Sequence, residues 1–188
     1  MVSIDEFQLK ELTSNDLFLV LRWRNSDRIR SVMYTEKQIS WSEHYKWYQK
    51  VSADSRLRVW IFYRFAQPLG LVSISNINPE HSRCYWGFYI GDDSAPKGSG
   101  TIMGMLALNK IFEEIKLNKV CAEVISTNTG SLSYHKKLGF KEEGLFKNHL
   151  RKNNNYVDII PMAIFSSQWE ISKDKLFKRY NRKGEENE

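Results

Sequence analysis

Lys97-Gly98-Ser99-Gly100-Thr101 lies between an aromatic run typical of a strand and an amphipathic run with helical spacing. Two closely spaced glycines let the backbone turn sharply where the helix begins. The first N–H groups of a helix have no partner within it, and the helix dipole places partial positive charge there. The stretch therefore predicts a strand–turn–helix crossing whose turn suits a diphosphate group.

A second polar block follows after one more strand-like run. It reads Asn128-x-x-Ser131 and then His135-Lys136-Lys137-Leu138-Gly139-Phe140. The glycine predicts the end of a short helix over residues 131–138, with polar groups and a titratable ring along it. The two motifs in this order predict a transferase whose cofactor combines a diphosphate with a pantetheine arm.

The hydrophobic pattern around these motifs predicts alternating strands and helices. Strands are expected at 7–12, 57–63, 69–77, 84–90, 120–125, 140–146 and 156–165, with a hairpin turn at Gln67-Pro68. Helices are expected at 14–27, after a capping box at Ser40 and Glu43, at 101–115 and at 131–138. This order predicts an α/β fold in which a mixed sheet carries helices on both faces.

Length and charge limit the classes of partner. A chain of 188 residues is large enough for one core, and we expect a single domain over 1–168 and a charged tail over 169–188. The net charge of +6 suits polyanions, but no aromatic–basic RNA motif accompanies it, so no nucleic-acid partner is expected. No apolar run of about 18 residues is present, so no membrane span is expected.

The two cysteines, Cys84 and Cys121, lie in apolar strand-like runs typical of buried, reduced thiols. Reduced thiols, and an N-terminus without a basic start and apolar core, predict a cytoplasmic protein. No cysteine or histidine pair has the spacing of zinc ligands, so no metal is expected.

The N-terminal third contains candidate ligand contacts. Arg24 and the pair Met33-Tyr34 precede His44 and Trp47, which are three residues apart on one helical face. An arginine, a histidine and stacking aromatic rings suit a phosphorylated ligand that bears a ring. The alternative is a plain amphipathic helix pair with the tryptophan in the core.

Two polar side chains interrupt predicted strands. Glu123 lies within the apolar run 119–125, where a carboxylate is paired, faces a cleft or faces solvent on an alternating strand. Ser73 lies on the strand 69–77 and is a candidate for binding an amine or a water, although strand serines usually face solvent.

The element order, with both motifs, resembles the GNAT superfamily of acetyl-CoA-dependent N-acetyltransferases over about residues 5–165. The turn pattern of this family is Arg/Gln-x-x-Gly-x-Gly/Ala, and Ile102 departs from it at the last, small residue. The second pattern of the family is Asn-x-x-Ser-x-x-x-Tyr-x-Lys-x-Gly-Phe. The resemblance implies a splayed central sheet, acetyl-CoA as co-substrate and no metal. It places cofactor contacts at Gly87, Phe88, Tyr89, Ile90, Lys97, Gly98, Ser99, Gly100, Thr101, Ile102, Asn128 and Ser131.

The resemblance also implies roles in catalysis. In the family a tyrosine protonates the leaving CoA thiolate. The position of that tyrosine in the pattern corresponds to His135 in this sequence, and Tyr134 lies one residue before it, so both stay candidates for the acid. Glu123 is expected as the base, by way of a water, with Ser73 nearby. Backbone N–H groups of residues 87–90 are expected to polarise the thioester carbonyl, and transfer is expected to be direct.

The N-terminal spacing resembles the PseH group within GNAT. Those enzymes acetylate the 4-amino group of a UDP-linked 4-amino-4,6-dideoxy-N-acetylhexosamine in pseudaminic acid synthesis, which serves flagellin glycosylation. The matching positions are Arg24, Met33, Tyr34, His44, Trp47, Ser73, Asn76, Tyr85 and Glu123. The resemblance implies that the arginine and the histidine hold the nucleotide diphosphate, while the aromatic rings face the uracil and the sugar.

Two other interpretations stay open. The block 140–144, followed by Tyr156-Val157-Asp158, also occurs in RimJ/RimL-type enzymes, which acetylate protein N-termini. A non-catalytic basic module would keep the fold and lack the chemistry. A homodimer is a further expectation.

Overall fold

The computed structural model describes residues 3–152 and 154–181. The strands are β1 Phe7–Glu11, β2 Arg58–Arg64, β3 Gln67–Asn78, β4 Arg83–Ile90, β5 Lys119–Ile125, β6 Lys141–Glu142, β7 Phe146–Lys152 and β8 Asn155–Phe165. The helices are α1 Leu17–Asn25, α2 Asp27–Arg30, α3 Trp41–Ala53, α4 Ser99–Asn109, α5 Thr129–Leu138 and α6 Ser166–Asn181. Short 3-10 turns cover Ile4–Glu6 and Ser14–Asp16, and a π-helical turn, Lys110–Glu114, extends α4.

The strands form one mixed sheet in the order β1-β2-β3-β4-β5-β8-β6, with β7 also paired to β8. Every neighbouring pair is antiparallel except β4 and β5, which run parallel. The parallel pairing covers only Arg83–Tyr85 against Lys119–Cys121. Beyond it β4 and β5 separate, which leaves a cleft in the middle of the sheet.

Each face of the sheet carries its own core, because strand residues alternate between the faces. On β2, Val59 and Ile61 pack with Val20, Trp23 and Ile29 from α1 and α2. The alternate positions of β2 pack against the larger core, which includes side chains from α4, α5 and α6. The predicted mixed sheet with helices on both faces is therefore confirmed.

The C-terminal part of the chain differs from the expectation. Helix α6 spans Ser166–Asn181, and Trp169 is fully buried, with its Nε1 donating to Asn109 Oδ1 at 2.7 Å. Leu176, Phe177 and Tyr180 pack on the same core, one helical stripe within a charged sequence. The expected tail is therefore wrong over 169–181, and residues 182–188 lie outside the described part.

Two predicted element boundaries also move. The hairpin turns at Phe65-Ala66, where Phe65 has a positive φ of 51°, and Gln67-Pro68 already belongs to β3. The expected strand 140–146 is reduced to the two-residue strand Lys141–Glu142. After Glu142 the ladder with β8 is interrupted, and it resumes only where β7 begins at Phe146. None of the described helices is long and apolar enough to cross a membrane.

Candidate active site

The separation of β4 and β5 opens a first cavity of about 390 Å³. Residues 86–90 of β4 and 122–125 of β5 form its two sides. Gly100 at the start of α4, and Asn128, Gly130, Ser131, Tyr134 and His135 around α5, form one end of the cavity. From the other face of the sheet it is lined by Arg28, Ile29, Val32, Met33 and Tyr34. Because β4 has no β5 partner here, backbone groups on that edge are available to a ligand.

The glycine turn begins α4 as expected. Gly98 is the N-cap with φ of 98°, a left-handed conformation that glycine adopts without strain. Ser99 N donates to Pro96 O and Ile102 N donates to Gly98 O, at 3.0 and 3.1 Å. The N–H groups of Gly100 and Thr101 belong to the first turn, where a helix supplies no internal acceptor, so they suit an anion.

Several side chains of this turn face away from a ligand. Ile102 is fully buried in the core and its N–H is already bonded to Gly98 O, so this position does not support the expected cofactor contact. Thr101 is buried too, and its Oγ1 accepts from Lys137 Nζ at 2.8 Å. Lys97 is exposed at the rim. The turn therefore offers backbone donors more than side chains.

Asn128 and Ser131 both line the first cavity, and they also start α5. The Asn128 Oδ1 atom accepts from Ser131 N at 3.0 Å, which makes this asparagine the N-cap. Its side-chain carbonyl is therefore occupied within the protein, and its amide group is the part that can meet a cofactor.

Glu123 lies in the wall of the first cavity and contacts Tyr34 from across the cleft. The Tyr34 hydroxyl donates to Glu123 Oε2 at 2.7 Å. Partial burial, and secondly this hydrogen bond, raise the pKa of Tyr34, which keeps it a protonated donor. The carboxylate is thus held in the wall of the first cavity.

His135 is buried, and both ring nitrogens have partners. The Trp86 indole N–H donates to Nε2 at 3.1 Å, and Nδ1 lies 2.8 Å from Ser131 O. An indole can only donate, so Nε2 carries no proton and Nδ1–H donates to the carbonyl. Burial lowers the pKa of His135 to about 4, which agrees with a neutral ring. This arrangement directs no acidic proton of His135 at the cleft.

Tyr134 is the other candidate for the acid. Its hydroxyl donates to Gly100 O at 2.8 Å, and its ring packs against Phe88 with centroids 4.5 Å apart. Burial raises the pKa of Tyr134, so the phenol keeps its proton at neutral pH. The hydroxyl thus lies beside the start of α4, in the wall of the first cavity.

A second cavity of about 540 Å³ lies next to the first and shares Met33, Gly87, Phe88 and Tyr89 with it. The remaining lining residues come mainly from α1, the connection to α3 and α3 itself: Val20, Arg24, Thr35, Lys37, Gln38, Ile39, Glu43, His44, Trp47, Leu71 and Ser73. The structure therefore brings five of the expected acceptor contacts to one place: Arg24, Met33, His44, Trp47 and Ser73.

Two buried polar atoms in this second cavity lack partners. Among the described residues, no hydrogen-bond partner is present for Arg24 Nη1 or His44 Nε2. Arg24 Nη2 does donate to Thr35 O at 3.0 Å, which fixes the guanidinium. The His44 ring stacks on Trp47 with centroids 5.0 Å apart, and burial lowers the pKa of His44. Unpaired buried polar atoms of this kind are typical of a site that a ligand completes.

Asn76 is not brought together with the other expected acceptor contacts. It is exposed at a bulge in β3, with φ of 49°, and it lines neither cavity. Tyr85 belongs to the last pair that β4 forms with β5 and also lines neither cavity, but it lies near enough to Tyr34 to add, after burial and Glu123, to the raised pKa of that residue. Tyr85 is therefore close to the Tyr34–Glu123 pair.

Arg28 is a lining residue that the sequence did not single out. It donates to Ile90 O and Gly91 O at 3.0 and 3.1 Å and pairs with Asp93 at 2.7 Å. It therefore ties α2 to the end of β4. Its only sequence signal was its position four residues after Arg24, which does not identify a partner 62 residues away.

Comparison with known proteins identifies the family of this chain. Residues 6–141 match the family model for the acetyltransferase (GNAT) domain. Acetyltransferase PseH of Campylobacter jejuni is 28% identical over 140 residues, which cover 74% of this chain and 85% of that protein. Spermidine N(1)-acetyltransferase of Escherichia coli is 27% identical over 169 residues, or 90% of this chain and 91% of that protein.

Among solved structures, the spermidine N-acetyltransferase from Vibrio cholerae, in complex with CoA and spermine, has a similar fold. Its TM-score is 0.83 at 24% identity, with 88% of this chain and 99% of that chain covered. At this identity the likeness supports the fold and not the acceptor.

Proposed function

Since the chain belongs to the GNAT acetyltransferase family, we propose that it transfers the acetyl group of acetyl-CoA to the 4-amino group of a UDP-linked 4-amino-4,6-dideoxy-N-acetylhexosamine. Acetyl-CoA-dependent N-acyl transfer is the activity of the family, and the acceptor is what we add. In this proposal the reaction is cytoplasmic, belongs to pseudaminic acid-type synthesis and serves flagellin glycosylation. A homodimer stays a prediction.

The observation that carries the proposal is the pair of unpartnered polar atoms in the second cavity. Among the described residues, Arg24 Nη1 and His44 Nε2 are buried without a hydrogen-bond partner, and leaving buried polar atoms unpaired costs free energy. Oxygen atoms of a diphosphate would satisfy Arg24 Nη1, since guanidinium groups match such oxygens well, and a hydroxyl or ring N–H of the nucleotide sugar would donate to Nε2 of the neutral His44. The aromatic rings of Trp47 and Tyr89 offer flat surfaces for a base or a sugar face.

The same cavity is poorly suited to a polyamine, the acceptor in the name of one group of relatives. Among the described residues that line it, the one carboxylate is Glu43, and its Oε1 pairs with Lys37 Nζ at 2.9 Å. The other oxygen of Glu43 accepts from Ser40. Arg24 and Lys37 would repel a polycation and attract an anion.

We propose that Glu123 and the neighbouring cleft carry out direct transfer. The neutral amine attacks the thioester carbon, the C–N bond forms, the C–S bond breaks, and Glu123 takes the amine proton, directly or by way of a water. The part of β4 beyond Tyr85, which β5 no longer pairs, supports stabilisation of the oxyanion by its backbone N–H groups. Burial raises the pKa of Cys84 to about 12 and also raises that of Cys121, which disfavours an acetyl-enzyme.

Tyr134 is the acid that this arrangement favours. Its phenol keeps its proton and lines the first cavity. The hydroxyl donates to Gly100 O, but it can turn about its C–O bond toward the thiolate, whereas the ring of His135 is held at both nitrogens by Trp86 and Ser131. The phenol would donate to the departing CoA thiolate and recover its proton from solvent. His135 then serves to hold Trp86 and the start of α5.

An acceptor panel tests the proposal. CoA release is measured at saturating acetyl-CoA with UDP-4-amino sugars, peptides with free N-termini and spermidine. We expect the highest kcat/KM with a UDP-4-amino sugar, and UDP itself should compete with the acceptor. Faster turnover of a peptide would support the RimJ/RimL-like alternative, and no turnover of any acceptor despite acetyl-CoA binding would support the non-catalytic module.

A further inference from the structure

Lys152, at the end of β7, makes an unusual set of contacts for a lysine. Its side chain is only 14% exposed. The ammonium donates to Ser31 O, to Met33 O at 3.1 Å and to Glu36 Oε1 at 3.0 Å. A lysine ammonium has three N–H donors, so three partners saturate it. All three belong to the segment 31–36, more than a hundred residues away in sequence.

The segment 31–36 connects α2 to α3 and contains neither helix nor strand of its own beyond turns. Its backbone carbonyls are bonded to basic side chains instead: Arg24 donates to Thr35 O at 3.0 Å and Arg30 donates to Glu36 O at 3.1 Å. Those two arginines come from α1 and α2, on one side of the segment. Lys152 approaches from the β7–β8 hairpin and therefore completes the support from another element.

The segment matters because it shapes both cavities. Met33 lines the first and the second cavity, and Tyr34 lines the first. The Tyr34 hydroxyl holds Glu123, the side chain that we place at the reacting amine. The carbonyl that Lys152 binds at residue 33 is one peptide away from Tyr34, so loss of the ammonium would release the segment where it meets the cleft.

We propose that Lys152 is a positioning residue for the acceptor site. It fixes segment 31–36 so that Tyr34 meets Glu123 and Met33 forms the wall between the cavities. Its role at the acceptor rests on the proposed function, whereas its hold on the segment does not. The cofactor turn at Gly98 and Gly100 lies on a different element, so the lysine should act on the acceptor and leave acetyl-CoA binding unchanged.

The test compares Lys152→Met, which keeps the aliphatic stem and removes the charge, with Lys147→Met on the same strand, where the lysine is exposed. Hydrogen exchange of segment 31–36 should become faster in Lys152→Met alone. KM for the UDP-4-amino sugar should rise about tenfold or more, as expected for a lost charge-assisted contact, with acetyl-CoA Kd within about twofold. Lys152→Arg should recover part of the loss.

A double-mutant cycle checks the route. If the lysine acts through Tyr34, the fold-loss of kcat/KM in Tyr34→Phe/Lys152→Met should be smaller than the product of the two single fold-losses. Unchanged exchange in a folded Lys152→Met protein, or equal losses of acceptor and acetyl-CoA affinity, would overturn the proposal. The exchange experiment needs no acceptor, so it tests the hold of Lys152 on segment 31–36 even if the wild-type protein does not use UDP-4-amino sugars.

Discussion

Glu123 and Tyr34 share a hydrogen bond of 2.7 Å, which fixes the carboxylate in the wall of the first cavity, where we propose that the acceptor amine reacts. Glu123→Gln keeps the shape and removes the base. We expect kcat to fall by about 10²–10⁴-fold, the usual effect of losing one acid–base group, with little change in acetyl-CoA Kd. Steady-state kinetics and calorimetry measure the two quantities.

The matched control for that variant is Glu80→Gln, an exposed carboxylate in the turn between β3 and β4. It should retain wild-type kcat. A Glu123→Gln protein with near-normal kcat would assign proton removal to solvent.

Tyr134 and His135 are adjacent in sequence, but their side chains have different surroundings. Tyr134→Phe removes the phenolic proton and should lower kcat. The loss should be largest at high pH, where hydronium is scarce and cannot replace the phenol as proton donor. His135→Gln keeps an acceptor for Trp86 and should retain most of kcat. A pH profile of kcat for both variants separates the roles, and the opposite order of losses would assign the acid to His135.

This pair also shows what sequence reasoning could not reach. Alignment with the family's second pattern places His135 at the position of the catalytic tyrosine. The rotation of α5 about its axis, which the pattern does not give, decides which of the two rings is held by Trp86 and Ser131. Glu123 was easier to predict, because a carboxylate within an apolar strand needs a partner or a cleft.

At the scale of elements, the start of α4 allows a graded test. A Cβ atom at Gly100 would meet Ile90 and Tyr134 at 3.8 Å, an ordinary contact, so Gly100→Ala should bind acetyl-CoA nearly normally. Gly100→Glu places a carboxylate where the diphosphate is expected and should weaken binding about tenfold or more. Calorimetry measures the acetyl-CoA Kd of both variants. Normal binding by a folded Gly100→Glu protein would contradict the assignment of this turn to the diphosphate.

The start of α4 could be predicted because glycine spacing and helical periodicity coincide there. Helix α6 could not, since its stripe of Trp169, Leu176 and Phe177 is spread among lysines and acidic residues. Only the packed core shows that these side chains cover the sheet. The split between β4 and β5 followed from the family resemblance and not from periodicity, and neither predicted the order of the strands in the sheet.

At the scale of the whole molecule, two buried histidines make stability depend on pH. Burial lowers the pKa of His44 and lowers that of His135 from 6.5 to about 4. In this window the unfolded chain binds protons that the folded chain excludes. The free energy of unfolding should therefore fall as pH drops from about 6.5 to about 4, by at most roughly 3 kcal/mol for His135.

Urea denaturation at pH 7.5 and pH 5 measures this slope. His135→Gln should show a smaller loss of stability between the two pH values than the wild-type protein. An identical slope would mean that this imidazole is not held neutral in the folded state.

The central claim is that the second cavity selects an anionic nucleotide sugar through Arg24. The most direct measurement is the ratio of kcat/KM for a UDP-4-amino sugar to kcat/KM for spermidine, in the wild-type protein, Arg24→Gln and the exposed neighbour variant Arg22→Gln. General damage lowers both rates and leaves the ratio unchanged. We expect a wild-type ratio well above one, a fall of about tenfold or more in Arg24→Gln, and no change in Arg22→Gln. A wild-type preference for spermidine, or a ratio that Arg24→Gln leaves unchanged, would contradict the claim.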